Sequence, residues 1–182
     1  MNLYDSVMHA FSTAGTGGFS NRNVSVGYYD SAYIDGVITV FMILFGINFN
    51  LYYLMLLKHF KEAFKNEELK TYLGIIAGAV AIITINISSM YGSVLKAFRY
   101  AAFQVASVIT TTGFCTADYN LWPELSKSVL LAIMVVGACA GSTGGGIKVS
   151  RLVILLKSVT QEIKRLHHPK AVTIVRVNGR KI

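Results

Sequence analysis

The sequence predicts an all-α membrane protein made of repeated units, each with a span, a short helix, a loop and a second span. Composition is the first observation behind this prediction. Hydrophobic residues make up 53% of the 182 residues and charged residues only 14%, whereas soluble domains average about a quarter charged residues. The second is that apolar runs near the bilayer length of about 20 residues alternate with shorter amphipathic ones. The third is that this alternation recurs along the chain.

The first half of the chain reads as a short helix, a loop and a span. Residues 4–14 form an amphipathic stretch that is too short to cross a bilayer. A loop rich in Gly, Ser and Asn follows at 15–27, and residues 34–57 are long and apolar enough to span. Lys58 and Lys61 follow directly, so this end of the span is predicted to be cytoplasmic.

The second half repeats that order after a charged connector at 59–70. Residues 71–90 predict a span that runs outward, and 94–109 predict a second amphipathic helix too short for a lipid-facing span. The stretch TTTGF follows at 110–114. Trp122 stands in the next loop, where an interfacial aromatic anchor is expected.

The third span begins near Lys127 and is interrupted by "GACAGSTGGGIK", residues 137–148, in which five residues are glycine. Each glycine costs a helix about 1 kcal/mol relative to alanine, so this segment is predicted to break the span. A phosphate-binding loop is one alternative, but Ile147 stands where that motif needs lysine. A flexible linker is another, and it is disfavoured because apolar sequence resumes afterwards as IKVSRLVILLK.

Charge is placed unevenly along the chain, whose net charge is +8. Residues 145–182 carry nine Lys/Arg and one acid, Glu162. In a chain this apolar, a basic tail indicates the cytoplasmic side of a membrane rather than nucleic-acid binding. Cys115 and Cys139 are predicted to be small buried residues, with no disulfide framework or zinc site.

An offset of 95 residues superimposes the two halves. Gly18-Phe19 then falls on Gly113-Phe114, with two further identities, Ser12 on Ser107 and Thr16 on Thr111. Together with the matching hydropathy order, this indicates an internal repeat of one and a half copies. The first copy lacks its inbound span, so we expect the chain to be a piece of a longer protein.

Each short helix is followed by a loop rich in Thr and Gly, at 14–18 and 110–113. Non-helical backbone at membrane depth occurs only where it is buried in protein or lines a watery cavity. Carbonyl and hydroxyl oxygens in such a loop can replace the water shell of a monovalent cation. The negative end of the helix dipole favours a cation at the same place. An ordinary extracellular turn is the alternative.

Three stretches carry a resemblance to a known family, and together they reach across most of the chain. "FRYAAFQVASVITTTGFCTADYNLWP", "GACAGSTGGGIKVSR" and "MHAFSTAGTGGFSNRN" resemble the Trk/Ktr/HKT superfamily of potassium transporters, specifically the membrane subunit of the bacterial Trk type. The resemblance implies four span–pore helix–filter loop–span repeats of the potassium-channel-like type around one pore. This chain would hold only part of them, from the second pore helix to just after the third outgoing span.

The same resemblance implies two groups of functional residues. The ion-binding filter residues would be Thr16, Gly17, Gly18, Thr111, Thr112 and Gly113. The gate under the filter would be an intramembrane loop made of Gly141, Ser142, Thr143, Gly144, Gly145 and Gly146, with Lys148 as a local positive charge. Potassium would be bound by filter residues only, and no catalytic residue or cofactor is expected.

The organisation implied by the resemblance has four parts. Residues 1–58 would hold one pore helix, filter loop and outgoing span, and 59–70 a cytoplasmic connector. A complete repeat with a broken outgoing span would follow at 71–157, and a basic cytoplasmic connector at 158–182. The resemblance also implies a homodimer in the cytoplasmic membrane of a bacterium, with a cytosolic ring of nucleotide-binding regulatory subunits facing the two basic segments.

The predicted function is potassium uptake rather than enzymatic catalysis. A non-conducting membrane scaffold with re-entrant loops is one alternative, because two loops supply only half of a fourfold ring. A carrier with broken helices is another, but inverted repeats would mark it, and the two copies here have the same orientation.

Overall fold

The computed structural model describes residues 1–167, 176–177 and 180–181, and nearly all of this part of the chain is helical. The eight α-helices are α1 Leu3–Ala14, α2 Ala32–Phe45, α3 Phe49–Leu56, α4 Phe60–Lys65, α5 Glu67–Tyr91, α6 Val94–Ile109, α7 Glu124–Val136 and α8 Val149–His167. Two short 3₁₀ helices cover Ser25–Tyr29 and Tyr119–Leu121. The two-residue strands β1 (Arg176–Val177) and β2 (Arg180–Lys181) pair antiparallel. The predicted helical class is therefore confirmed, and the rest of the basic connector at 158–182 lies outside the described residues.

Both short helices lie where the sequence predicts them. Helix α1 differs from the predicted 4–14 by one residue, and α6 has the bounds 94–109. Helix α5 begins at Glu67, four residues before the predicted span, because Asn66 caps it by accepting a hydrogen bond from the Leu69 N–H at 3.1 Å. The predicted connector at 59–70 accordingly contains α4 and the first turn of α5.

The predicted continuous span at 34–57 is wrong in one respect, because the structure divides it into α2 and α3, which meet at 90°. Helix α2 ends at Gly46, and Asn48 starts α3 by accepting a hydrogen bond from the Asn50 N–H at 2.9 Å. A Cβ at Gly46 would lie 2.2 Å from the hydroxyl of Tyr72. The break therefore sits where only glycine allows α5 to approach.

Among the described residues, α5 is the helix that is long and apolar enough to cross a membrane. Helices α2 and α3 meet the same criteria only as a bent pair. The third predicted span is also divided, since α7 has 13 residues and is separated from α8 by the glycine segment.

The core lies where α5 packs against α6 and α7. On α6, Ala97, Ala101 and Val105 form a stripe spaced every fourth residue and are fully buried. Small residues at this spacing let two helix backbones approach closely. Trp122 is 2% exposed and donates a hydrogen bond to the Tyr91 hydroxyl at 3.1 Å. It therefore packs inside the protein rather than standing free as the predicted interfacial anchor.

We expect Gly46→Ala to lower stability by about 1–3 kcal/mol, because the added methyl collides with Tyr72 and with the Thr110 methyl 2.9 Å away. Tyr72→Phe removes the colliding hydroxyl, so the double variant should lose less than the sum of the two single losses. Thermal unfolding of the detergent-purified variants measures this coupling. Strict additivity would mean that Tyr72 does not fix the break.

Candidate functional site

Two loops follow the short helices, and their backbones have the same conformation at the predicted offset of 95. We call Gly15–Gly18 the first loop and Thr110–Gly113 the second loop. Thr16 and Thr111 have φ of 48° and 57°, and Gly18 and Gly113 have φ of 68° and 89°. Positive φ is uncommon for a β-branched residue such as threonine. Such strain persists only where the surroundings impose it, and it concentrates at functional sites.

The two loops also share their hydrogen bonds. The Gly17 N–H donates to the Ser12 carbonyl at 2.8 Å, and the Thr112 N–H donates to the Ser107 carbonyl at 2.9 Å. The N–H groups one residue earlier, of Thr16 and Thr111, likewise donate back into the last turn of their helices at 3.1 and 3.0 Å. Each loop therefore closes its helix with its N–H groups.

This closure sets the direction of the carbonyl groups. A trans peptide carries its carbonyl opposite its N–H, and the peptide bonds of the described residues are all trans. The carbonyls of Thr16 and Thr111 therefore point away from the helix ends. Within the described residues, no donor reaches the carbonyl oxygens of residues 16–18 or 110–113. Thr16, Thr110 and Thr112 are buried, and buried carbonyls are normally paired, so their free oxygens are able to bind a cation.

The first and second loops touch each other. A Cβ at Gly18 would lie 1.9 Å from the Thr112 carbonyl oxygen, so only glycine fits there. Gly113, its repeat equivalent, has open space around the Cβ position within the described part of the chain. The fold therefore brings three of the predicted filter residues, Gly18, Thr112 and Gly113, into contact. The remaining three, Thr16, Gly17 and Thr111, adjoin them in sequence.

Residues 137–148, which we call the glycine loop, lie directly against both filter-like loops. The Thr16 hydroxyl lies 3.0 Å from the Thr143 carbonyl oxygen and 2.8 Å from the Gly15 carbonyl oxygen. The Gly145 N–H donates to the Thr111 hydroxyl at 2.7 Å. Two threonines at equivalent repeat positions thus hold the glycine loop from two sides.

Close approach explains why this loop is rich in glycine. A Cβ at Gly144 would lie 2.9 Å from the Thr110 carbonyl oxygen and 2.6 Å from the Ala138 Cβ. A Cβ at Gly137 would lie 2.4 Å from the Gly145 carbonyl oxygen. Glycine at these positions therefore lets the loop fold onto itself and onto the second loop.

Two polar side chains of the glycine loop bond to the loop's own backbone. Ser142 donates to the Cys139 carbonyl at 2.7 Å, and the Lys148 ammonium donates to the Gly144 carbonyl. Gly144 is itself the residue that packs under Thr110. Gly144 thus contacts both the Lys148 ammonium and the second loop, at the Thr110 carbonyl.

The glycine loop also contacts the break between α2 and α3, and the sequence did not predict this contact. The Cys139 N–H donates to the Gly46 carbonyl at 3.0 Å, and the Phe49 N–H donates to the Gly141 carbonyl at 3.0 Å. Thr143 adds a longer hydroxyl contact to the Phe45 carbonyl at 3.4 Å. The available signal was Gly46 followed two residues later by Asn48, since glycine often ends helices and asparagine often begins them.

Charged residues that flank the two loops in sequence have hydrogen-bond partners in the structure. Asp5 is 2% exposed. It accepts hydrogen bonds from Asn21, from Arg22 at 3.3 Å and from Tyr29 at 2.7 Å. In the second repeat, Asp118 caps the short 3₁₀ helix through the Asn120 N–H at 3.0 Å. Arg22 and Asp118 therefore have structural partners that account for them.

Comparison with known proteins identifies the family. The sequence matches the family described as TrkH, cation transport protein, over residues 1–76 and 69–182. It is 38% identical to the Trk system potassium uptake protein TrkH of Salmonella typhimurium over 99% of this chain and 38% of that protein. It is 34% identical to the Trk system potassium uptake protein TrkG of Escherichia coli over 99% of this chain and 38% of that protein.

A solved structure agrees with these sequence matches. The crystal structure of the potassium transporter TrkH from Vibrio parahaemolyticus superimposes with a TM-score of 0.92 at 35% identity, over 98% of this chain and 39% of that chain. The present chain thus spans less than two fifths of the length of the relatives it matches. On the family match over both halves of the sequence, the chain belongs to the TrkH cation transport protein family.

Proposed function

We propose that this chain forms part of a potassium uptake pore in the cytoplasmic membrane of a bacterium. The free carbonyl oxygens of the first and second loops, repeated at an offset of 95, carry the proposal. The names of the relatives, which are Trk system potassium uptake proteins, support potassium as the transported ion.

In this proposal the ion exchanges water for protein oxygens. Thr16, Gly17 and Gly18 of the first loop and Thr111, Thr112 and Gly113 of the second loop line the path. Their carbonyls replace hydration oxygens. The carboxyl ends of α1 and α6 add a partial negative charge just behind the loops, which favours a cation. No covalent step is involved, and potassium is cargo rather than cofactor.

Two loops supply part of a coordination shell, and we propose that further segments of a longer polypeptide supply the rest. The relatives are more than twice as long as this chain, which supports that division. Each unit would be a span, a pore helix, a filter loop and an outgoing span, with the outgoing spans broken at 46–48 and in the glycine loop.

We further propose that the glycine loop gates the path. The residues that act in the gate are Gly141 to Gly146 and Lys148. Its contacts with Thr16, Thr111 and Thr110 put it against the two filter loops. A glycine-rich backbone has several accessible conformations, so the loop can lie under the filter in one state and withdraw in another. Lys148, bonded to Gly144, adds a positive charge that opposes cation passage in the first state.

The basic segments at 58–70 and 157–182 face the cytoplasm in this proposal. The excess of Lys and Arg in both segments supports that orientation. There they would contact a cytosolic ring of nucleotide-binding regulatory subunits, and the membrane subunit would be a homodimer surrounded by lipid.

Substitution of the two loop glycines tests the filter. In the full-length transporter, Gly18→Ala should abolish uptake, because its methyl collides with the Thr112 carbonyl. Gly113→Ser should keep the fold but weaken potassium selectivity, since it meets open space and only the backbone strain of about 1–2 kcal/mol. Gly74→Ala, a glycine of α5 with free space around it, is the matched control.

Growth at low potassium in an uptake-deficient strain and rubidium uptake in competition with sodium measure both effects. Normal rubidium selectivity in Gly113→Ser, with Gly18→Ala as active as the control, would contradict the filter. A full-length protein that never rescues growth would instead favour a non-conducting scaffold.

Thr111→Val tests the gate. The variant removes the acceptor of the Gly145 N–H, so the glycine loop loses a hydrogen bond of about 0.5–1.5 kcal/mol on that side. Resting uptake, measured without the activating nucleotide, should rise severalfold. Thr111→Ser keeps the hydroxyl and should behave like the natural protein. Equal resting uptake in both variants would separate the loop from gating.

A further inference from the structure

A buried carboxylate holds both flanks of the glycine loop. Glu68, in the first turn of α5, is 6% exposed. One of its carboxylate oxygens accepts hydrogen bonds from the Ala140 N–H at 2.6 Å and from the Ser150 N–H at 3.2 Å. Ala140 lies before the glycine triplet and Ser150 lies after it, so a single oxygen atom joins two points ten residues apart.

Both donors are groups that need such a partner. Ser150 is the second residue of α8, and the first N–H groups of a helix have no acceptor within it. A negative charge at that end is also favourable to the helix dipole. Hydrogen bonds to a charged acceptor are stronger than those to a neutral one, so Glu68 is a strong polar attachment at the base of the loop.

Two backbone hydrogen bonds close the neck of the loop, and others join the loop to the break between α2 and α3. The Val149 N–H donates to the Ala138 carbonyl at 3.0 Å, and the Lys148 N–H donates to the Val136 carbonyl at 3.0 Å. These bonds join the flanks to each other only. Glu68 adds the connection to α5, the long helix of the core.

The neighbouring Glu67 has a different role and provides a control. It pairs with Lys157, two turns further along α8, and both side chains are more than a third exposed. Glu67 thus joins α5 to the side of α8, whereas Glu68 joins α5 to the loop and to the start of α8.

We propose that Glu68 is a positioning residue that fixes the glycine loop against the first and second loops, and that release of its hydrogen bonds allows the loop to move. The consequence for transport rests on the proposed gate. The consequence for loop position does not, because it follows from the contacts of Glu68 alone.

Cys139 reports on loop position independently of transport. Its side chain is fully buried, and it immediately precedes Ala140. In a full-length protein whose other cysteines, including Cys115, are replaced by serine, the rate of Cys139 modification by a small methanethiosulfonate reagent is measured. Glu68→Ala should speed modification at least about tenfold, which corresponds to about 1.4 kcal/mol. Glu67→Gln should leave the rate unchanged.

Glu68→Gln separates hydrogen bonding from charge. Its amide oxygen can still accept both N–H groups, so Cys139 should stay protected to within about twofold, well below the tenfold step that 1.4 kcal/mol represents. Any effect of the lost charge on thiol ionisation appears equally in Glu68→Ala and Glu68→Gln. If Glu68→Ala does not fold, Glu68→Asp replaces it, because its shorter side chain withdraws the oxygen and should expose Cys139 in part.

Resting rubidium uptake is measured on the same proteins. Faster Cys139 modification with raised uptake in Glu68→Ala supports both the positioning role and the gate. Faster modification with unchanged uptake supports the positioning role and contradicts the gate. Protection of Cys139 in Glu68→Ala, or in folded Glu68→Asp, equal to that in the natural protein overturns the inference whatever the uptake.

Discussion

Peptide groups that leave a helix inside an apolar protein must find partners, and the way this chain meets that constraint organises the structure. After α1 and α6, the N–H groups of the second and third residues of each loop bond back to the helix that precedes them. The carbonyls of residues 16–18 and 110–113 accept no hydrogen bond from the described residues. A carbonyl without a donor is able to bind a cation instead. Both loops leave carbonyls without donors, so together they offer oxygen atoms to a cation. The strained φ angles of Thr16 and Thr111 are part of that arrangement.

The same constraint explains why the glycine loop lies against the break between α2 and α3. Two helices break at similar depth in the fold, one at Gly46 and one at Gly137, and each break exposes groups that the other can use. The Gly46 carbonyl accepts from the Cys139 N–H, and the Gly141 carbonyl accepts from the Phe49 N–H. Each irregular segment therefore completes the hydrogen bonding of the other. Neither break would be tolerated alone in an apolar surrounding.

Local pattern predicted much of this from the sequence. The bounds of α6 follow from its amphipathic period, and the loop at 110–113 from its Thr and Gly content. The bend at Gly46 was missed because hydropathy is continuous from 34 to 57, and the close approach that requires glycine there comes from Tyr72, a residue distant in sequence. Glu68 was read as one charge in a surface connector for the same reason, since its partners Ala140 and Ser150 lie more than 70 residues away. Family resemblance named candidate filter and gate residues, but not which of them touch.

The Thr16 hydroxyl has one hydrogen and two carbonyl acceptors within reach, whereas the Gly145 N–H has only the Thr111 hydroxyl among its described neighbours. Separation on the Thr16 side leaves that hydrogen bonded to Gly15, so little is lost. Separation on the Thr111 side leaves the part-buried Gly145 N–H without its partner, at the cost of that hydrogen bond, about 0.5–1.5 kcal/mol. The two edges of the segment are thus attached with unequal strength. In the gate that we propose, the loop would therefore separate from Thr16 first and turn about the Thr111 edge, so that it opens like a flap with one hinged side.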